Sequence, residues 1–106
     1  MEIRNRRRCR KQQVYVYEDN KMIHGFVRLS NEYIEGIFVS DEMRSCGIGK
    51  LLSDYIKNKK VRLRLNVYQK NTRALSFYQR EGFDIQSEGL DEATGEKEYT
   101  MLWQQK

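Results

Sequence analysis

Residues 41–52 read DEMRSCGIGKLL and hold the pattern in this chain best suited to chemistry: two glycines one residue apart, flanked by Arg44 and Lys50. The run before them, YIEGIFV, is β-branched and aromatic as strands are, and the residues after them have helical spacing. A strand-to-helix loop of this kind leaves unpaired N–H groups pointing outward, with the positive end of the helix dipole behind them. Glycine permits positive φ and close backbone approach, so such a loop can form a nest for a phosphate or pyrophosphate. A lone G-x-G also serves ordinary turns. Two well-known phosphate loops do not fit. A P-loop requires Gly where Arg44 stands and Ser or Thr where Leu51 stands; a dinucleotide fingerprint requires a third small residue where Leu52 stands.

The elements that must position this loop are legible on either side. QVYVYEDNKMIHGFVRLS alternates apolar and polar residues around EDNK, which predicts an antiparallel hairpin. YIEGIFV (33–39) is a third strand. Ile48, Leu51, Leu52, Tyr55 and Ile56 fall at i, i+3, i+4, i+7 and i+8, one apolar face of a helix. VRLRLNVY (61–68) is a fourth strand with Val61, Leu63, Leu65 and Val67 on one side. Asn71 then caps a short helix, NTRALSFYQREG, closed by a left-handed Gly82. FDIQSEGL and GEKEYTMLW form a last hairpin around DEATG. Strand, helix, strand, helix in the middle implies a parallel crossover, with antiparallel strands at both ends. The fold class is α/β, an α+β mixed sheet.

The chain has 106 residues, enough for one small domain. It has neither the run of roughly 18 apolar residues a membrane span needs nor a signal-peptide core, so a cytoplasmic protein with no membrane partner is expected. Cys9 and Cys46 lie far apart, so no disulfide framework or metal site is argued. The net charge of +5 suggests nucleic acid until it is located. Residues 1–11, MEIRNRRRCRK, carry six basic residues and one acid, while residues 12–106 carry fourteen of each sign. The expected organisation is therefore a solvated basic tail, 1–12, whose removal leaves stability unchanged, and one domain, 13–106. A nucleic-acid-binding module, with Tyr15, Tyr17 and Phe26 stacking bases, is disfavoured because the body is neutral.

What survives of the glycine loop is R-x-x-G-x-G, Arg44 to Gly49, directly after a strand. This resembles the acyl-CoA pyrophosphate loop of the GNAT superfamily of N-acetyltransferases. A second segment agrees independently: N-x-x-A-x-x-F-Y-x-x-x-G-F, here Asn71, Ala74, Phe77, Tyr78, Gly82 and Phe83, is similar to that family's motif after its fifth strand. The resemblance covers roughly residues 13–103. It implies a GNAT-like fold, acetyl-CoA as cosubstrate without a metal, and direct transfer of an acetyl group to a primary amine of a small molecule, peptide or protein.

The resemblance also implies roles. Ile37, Phe38 and Val39 would hold the pantetheine arm on a splayed strand. Arg44, Ser45, Cys46, Gly47, Ile48, Gly49 and Lys50 would supply the pyrophosphate nest. Asn71 matches a cofactor contact, though helix capping explains it equally well. Tyr78 matches the tyrosine that protonates the departing thiolate; packing in the core is its other reading. Glu35, on the same parity as Ile37 and Val39, is the candidate base if burial raises its pKa, although it stands two residues from where some members carry a glutamate. A solvent-facing strand residue is the alternative. His24 titrates in a suitable range but no motif gives it a role. Cys46 reads as small filler, since direct transfer needs no nucleophile.

The chain departs from the family at its start. Members open with a strand and two helices that wall the acceptor site, and only MEIRNRRRCRKQ stands there, so an N-terminally truncated fold is expected, with Glu2-Ile3-Arg4 as a remnant. A second copy completing the fold, and hence a homodimer, is one reading. An acyl-CoA-binding remnant with weak turnover is the alternative to an active enzyme.

Overall fold

Asn20 and Lys21, the centre of EDNK, both have positive φ, 51° and 64°. Two such residues in succession make the tight turn whose twist matches that of the flanking strands. It joins β2 (Gln12–Asp19) to β3 (Met22–Ser30) in antiparallel register. The computed structural model of the chain describes residues 2–5, 12–40 and 47–105. Beyond the first hairpin come β4 (Tyr33–Val39), α1 (Ile48–Lys57), β5 (Arg62–Tyr68), α2 (Thr72–Arg80), β6 (Asp84–Leu90) and β7 (Lys97–Gln104). With β1 (Glu2–Asn5) they form one seven-stranded sheet of order β1-β2-β3-β4-β5-β7-β6. Only β4 and β5 are parallel. The mixed α/β class expected from the sequence is the one observed.

Both helices lie on one face of this sheet. Ile48, Leu52 and Ile56 of α1, with Tyr78 of α2 and Phe83 beyond it, share a single core with Tyr15, Val27, Leu29, Ile34, Leu63, Leu65 and Met101. The opposite face is lightly covered. There Phe26 and Phe38 are register partners with ring centroids 4.9 Å apart, and Arg62, Arg64 and Asn66 alternate with the buried residues of β5.

Several expectations need correcting. Residues 2–5 do not belong to a solvated tail: they pair antiparallel with β2, and Ile3 packs against the core. The opening strand is therefore present, and only six residues of sequence separate it from β2. Residues 6–11 lie outside the described residues. Leu51 is exposed, at the flank of the α1 stripe, and Val61 precedes the first β5–β7 pair and is exposed as well. Tyr15 and Tyr17, assigned above to base stacking, are buried under the helices. Helix α2 ends as expected: Gly82 has φ 92°, and the Phe83 N–H donates to the Tyr78 carbonyl at 3.0 Å. This turns Phe83 into the core.

Candidate active site

The site begins with a defect in strand pairing. β4 and β5 share one register pair, Tyr33 with Arg64, and then part. Past that point the backbone groups of β4 that face β5 have no ladder partner among the described residues, and a buried polar backbone group needs one. The β3–β4 pairing carries a β-bulge beside it. Arg28 pairs with Gly36 while Leu29 pairs with Ile34, leaving Glu35 as the extra residue.

That bulge overturns the parity assigned to Glu35. Ile34, Ile37 and Val39 all pack toward the helices, whereas Glu35 is exposed and pairs with Arg28 at 3.7 Å. The extra residue shifts the alternation by one, so a carboxylate that counts as cofactor-facing in a regular strand is carried to the opposite face. The burial invoked to make it a base is not present.

A cleft of about 620 Å³ opens where β4 leaves β5. Ile37, Phe38 and Val39 form one wall; Gly47, Gly49 and Lys50 of the α1 start form the second; Asn71, Arg73, Ala74, Phe77, Tyr78, Arg80 and Glu81 line the third. The residues assigned from sequence to pantetheine, pyrophosphate and acid roles are thus brought together, except Arg44, Ser45 and Cys46, which lie outside the described residues. Ile48 buries its side chain in the core, and its backbone N–H stands at the first position of α1. His24 packs against Tyr17, with ring centroids 6.3 Å apart, and is not part of the cleft.

Helix α1 starts in a way that favours an anion. Its N-cap, Gly47, has φ 75° and offers no side-chain cap, and the first turn carries no acid. Among the described residues, therefore, no side chain caps these N–H groups or offsets the positive dipole end. Gly49 has a second duty: a Cβ there would stand 3.2 and 3.3 Å from the Phe77 ring, so its absence lets α1 and α2 approach. Asn71 does cap α2, its Oδ1 accepting from the Ala74 N–H at 3.2 Å.

Tyr78 is buried between Phe77 and Phe83, with ring centroids at 5.3 and 5.6 Å. Burial pushes its phenol up to about 12, with Tyr33 adding to the rise. Tyr33, at the single β4–β5 pair, is itself raised by burial and by Glu98, against the Asn66 backbone amide.

Arg73, Arg80 and Glu81 line the cleft and were not singled out from the sequence. The signal was there: Arg73, Phe77 and Arg80 are spaced i, i+4, i+7 and so share one face of α2. Glu81 is buried and ion-paired at 3.7 Å to both Lys50 and Lys57. Lys57 also donates to the Glu81 carbonyl and lies over the Phe83 and Trp103 rings at 5.9 and 5.5 Å. These two lysines offset a carboxylate that would otherwise repel an anionic ligand.

Comparison with known proteins places this geometry. The profile of the acetyltransferase (GNAT) domain matches residues 10–85. The peptidyl-lysine N-acetyltransferase YiaC of Escherichia coli K12 is 34% identical over 92 residues, which is 86% of this chain and 63% of that protein. A structure from Bacillus anthracis, described as a streptothricin acetyltransferase and solved with acetyl coenzyme A, superposes with a TM-score of 0.81 at 24% identity, over 93% of this chain and 65% of that one. The solution structure of apo YjaB from Escherichia coli gives 0.75 at 24% identity, over 90% and 65%. These structural likenesses are of fold, and the chain spans less than two thirds of the length of each of these proteins. The glycine loop, the splayed strand, the α2 motif and the profile match agree: the chain belongs to the GNAT acetyltransferase domain family.

Proposed function

We propose that this chain is an N-acetyltransferase that binds acetyl-CoA in the 620 Å³ cleft and transfers the acetyl group to a primary amine, with lysine of a peptide or protein as the favoured acceptor. The observation that carries this is the meeting of three features in one cleft: a helix start and a strand edge that have no partner among the described residues, and a buried phenol. N–H groups from Gly47 to Lys50 would hold the pyrophosphate, helped by Lys50, Arg73 and Arg80. The free edge of β4 at Ile37–Val39 would pair with the amide-bearing pantetheine arm as a further strand would. The acceptor preference comes from the peptidyl-lysine acetyltransferases among the relatives. A cytoplasmic setting supplies the cosubstrate and keeps the two thiols reduced.

In the reaction the amine nitrogen bonds to the thioester carbonyl carbon, the carbon–sulfur bond breaks, and Tyr78 gives its proton to the leaving sulfur. N–H groups on the β4 edge stabilise the oxyanion formed between these events. A phenol held near 12 keeps its proton throughout the physiological range. The amine's own proton leaves to solvent.

Tyr78→Phe retains the ring's packing and removes only the hydroxyl. Turnover on a lysine peptide should fall by about 10²–10⁴-fold with acetyl-CoA affinity unchanged. Equal turnover in the variant contradicts the acid role. One observation favours a second reading, acyl-CoA binding with little turnover: among the described residues both helices sit on one face, leaving the acceptor face without a helical wall. Wild-type binding of acetyl-CoA without transfer to any amine selects that reading.

A further inference from the structure

On the sheet face away from the helices, below the splay, the β3–β4 turn and the start of β5 border an open cleft of about 950 Å³. Its charged side chains are Lys59, Lys60, Arg62 and Arg64 against one carboxylate, Glu32. That carboxylate is already committed: Arg62 Nε donates to Glu32 Oε2 at 2.8 Å, which holds its carboxyl below the usual range. Lys59 lies 5.0 Å over the Tyr55 ring. Among the described residues no carboxylate stands within ion-pair distance of Lys59, Lys60 or Arg64. The cleft therefore carries four cations against one carboxylate, and no aromatic side chain lines it.

Its position matters as much as its charge. Arg64 is the register partner of Tyr33, the pair at which β4 and β5 part. Glu35 and Glu98 act on Tyr33 from the same neighbourhood. One face thus carries Glu35 two residues above Tyr33 and Arg64 level with Tyr33, a separation of about 7 Å along the strand, with Lys60 four residues before Arg64 in the chain. A lysine ammonium is drawn to the first group and a carboxylate side chain to the second.

We propose that this basic cleft docks acidic residues flanking the target lysine of a peptide or protein acceptor, selecting lysines with Asp or Glu about one to three positions away. This rests on the acetyltransferase reading above. An acidic peptide fits better than nucleic acid, because a few clustered cations without a stacking surface make a short patch and not a phosphate track.

The test compares acetylation of three lysine peptides that differ only in acidic, neutral or basic flanks, together with a small alkylamine, at low and high salt. The acidic peptide should show about tenfold higher kcat/KM than the neutral one, mostly through KM, with the advantage shrinking as salt screens it. The Lys60→Glu, Arg64→Glu double variant should reverse the preference while leaving alkylamine turnover and acetyl-CoA affinity unchanged; Lys60→Gln, a milder change, should halve it or more. Equal rates on all three peptides overturn the proposal, as does a preference that survives both variants. Fluorescence anisotropy with the acetyl-CoA-saturated protein reads docking independently of turnover. Acidic-peptide binding lost in the variants, with no transfer to any amine, supports the docking surface and contradicts the acetyltransferase reading. Tighter binding of a single-stranded RNA oligonucleotide, abolished by the same variants, overturns the acidic-acceptor proposal.

Discussion

At the scale of single residues, Tyr78 joins stability to chemistry. An unfolded tyrosine loses its proton near pH 10, while folded Tyr78 holds its own to about 12. Between those values the unfolded chain binds fewer protons than the folded one, so stability falls as pH rises. Tyr78's contribution is complete below pH 10 and drains away toward pH 12, by an amount of order 2 kcal/mol. Tyr78→Phe should therefore lose stability less steeply than wild type in denaturant titrations across that window; parallel curves would contradict the buried, protonated phenol. The tyrosine's place was legible because N-x-x-A-x-x-F-Y set it on a capped helix face. Glu35 was misread because strand alternation assumes no extra residue, and nothing in YIEGIFV announces the bulge. Only the pairing of Arg28 with Gly36 and Leu29 with Ile34 reveals it.

Among the elements, the turn into α1 carries most of the proposed cofactor binding. A Cβ at Gly47 would meet nothing within 4 Å, so the obstacle to a side chain there is its φ of 75°. Gly47→Val should shift the first turn of α1 and weaken acetyl-CoA binding at least tenfold, about 1.4 kcal/mol, with a small loss in Tm. Gly49→Val should weaken binding and lower Tm further, because it also drives a side chain into Phe77. Calorimetric affinity unchanged in a folded Gly47→Val protein would remove the nest. The hairpins, both helices and both caps could be read from the sequence, since each has its own periodicity and punctuation. Leu51 and Val61 could not, because an apolar residue at the flank of a stripe or the first residue of a run has no neighbour in sequence that tells whether it is covered. Arg73 and Arg80 escaped because a charged residue on a short helix ordinarily reads as solvated.

For the molecule as a whole, β1 is the element least visible in the sequence: four residues at the head of a basic run, with one apolar side chain among them. Pairing with β2 and the packing of Ile3 give them their place. Deleting residues 1–11 should therefore lower Tm by several degrees, and Ile3→Ser alone should cost about 1–2 kcal/mol. An unchanged melting curve in the deletion would return this segment to a solvated appendage. No helix among the described residues is long and apolar enough to cross a membrane. The sheet face opposite the helices carries the basic cleft, and among the described residues no helix covers that face. The central claim is that the cleft between β4, α1 and α2 holds acetyl-CoA, and a calorimetric titration of the wild-type chain tests it most directly. The account predicts one site per chain with a Kd in the micromolar range, about −8 kcal/mol, weakened at least tenfold by Gly47→Val and unaffected by Tyr78→Phe; a folded wild-type protein that shows no saturable acetyl-CoA binding would contradict it.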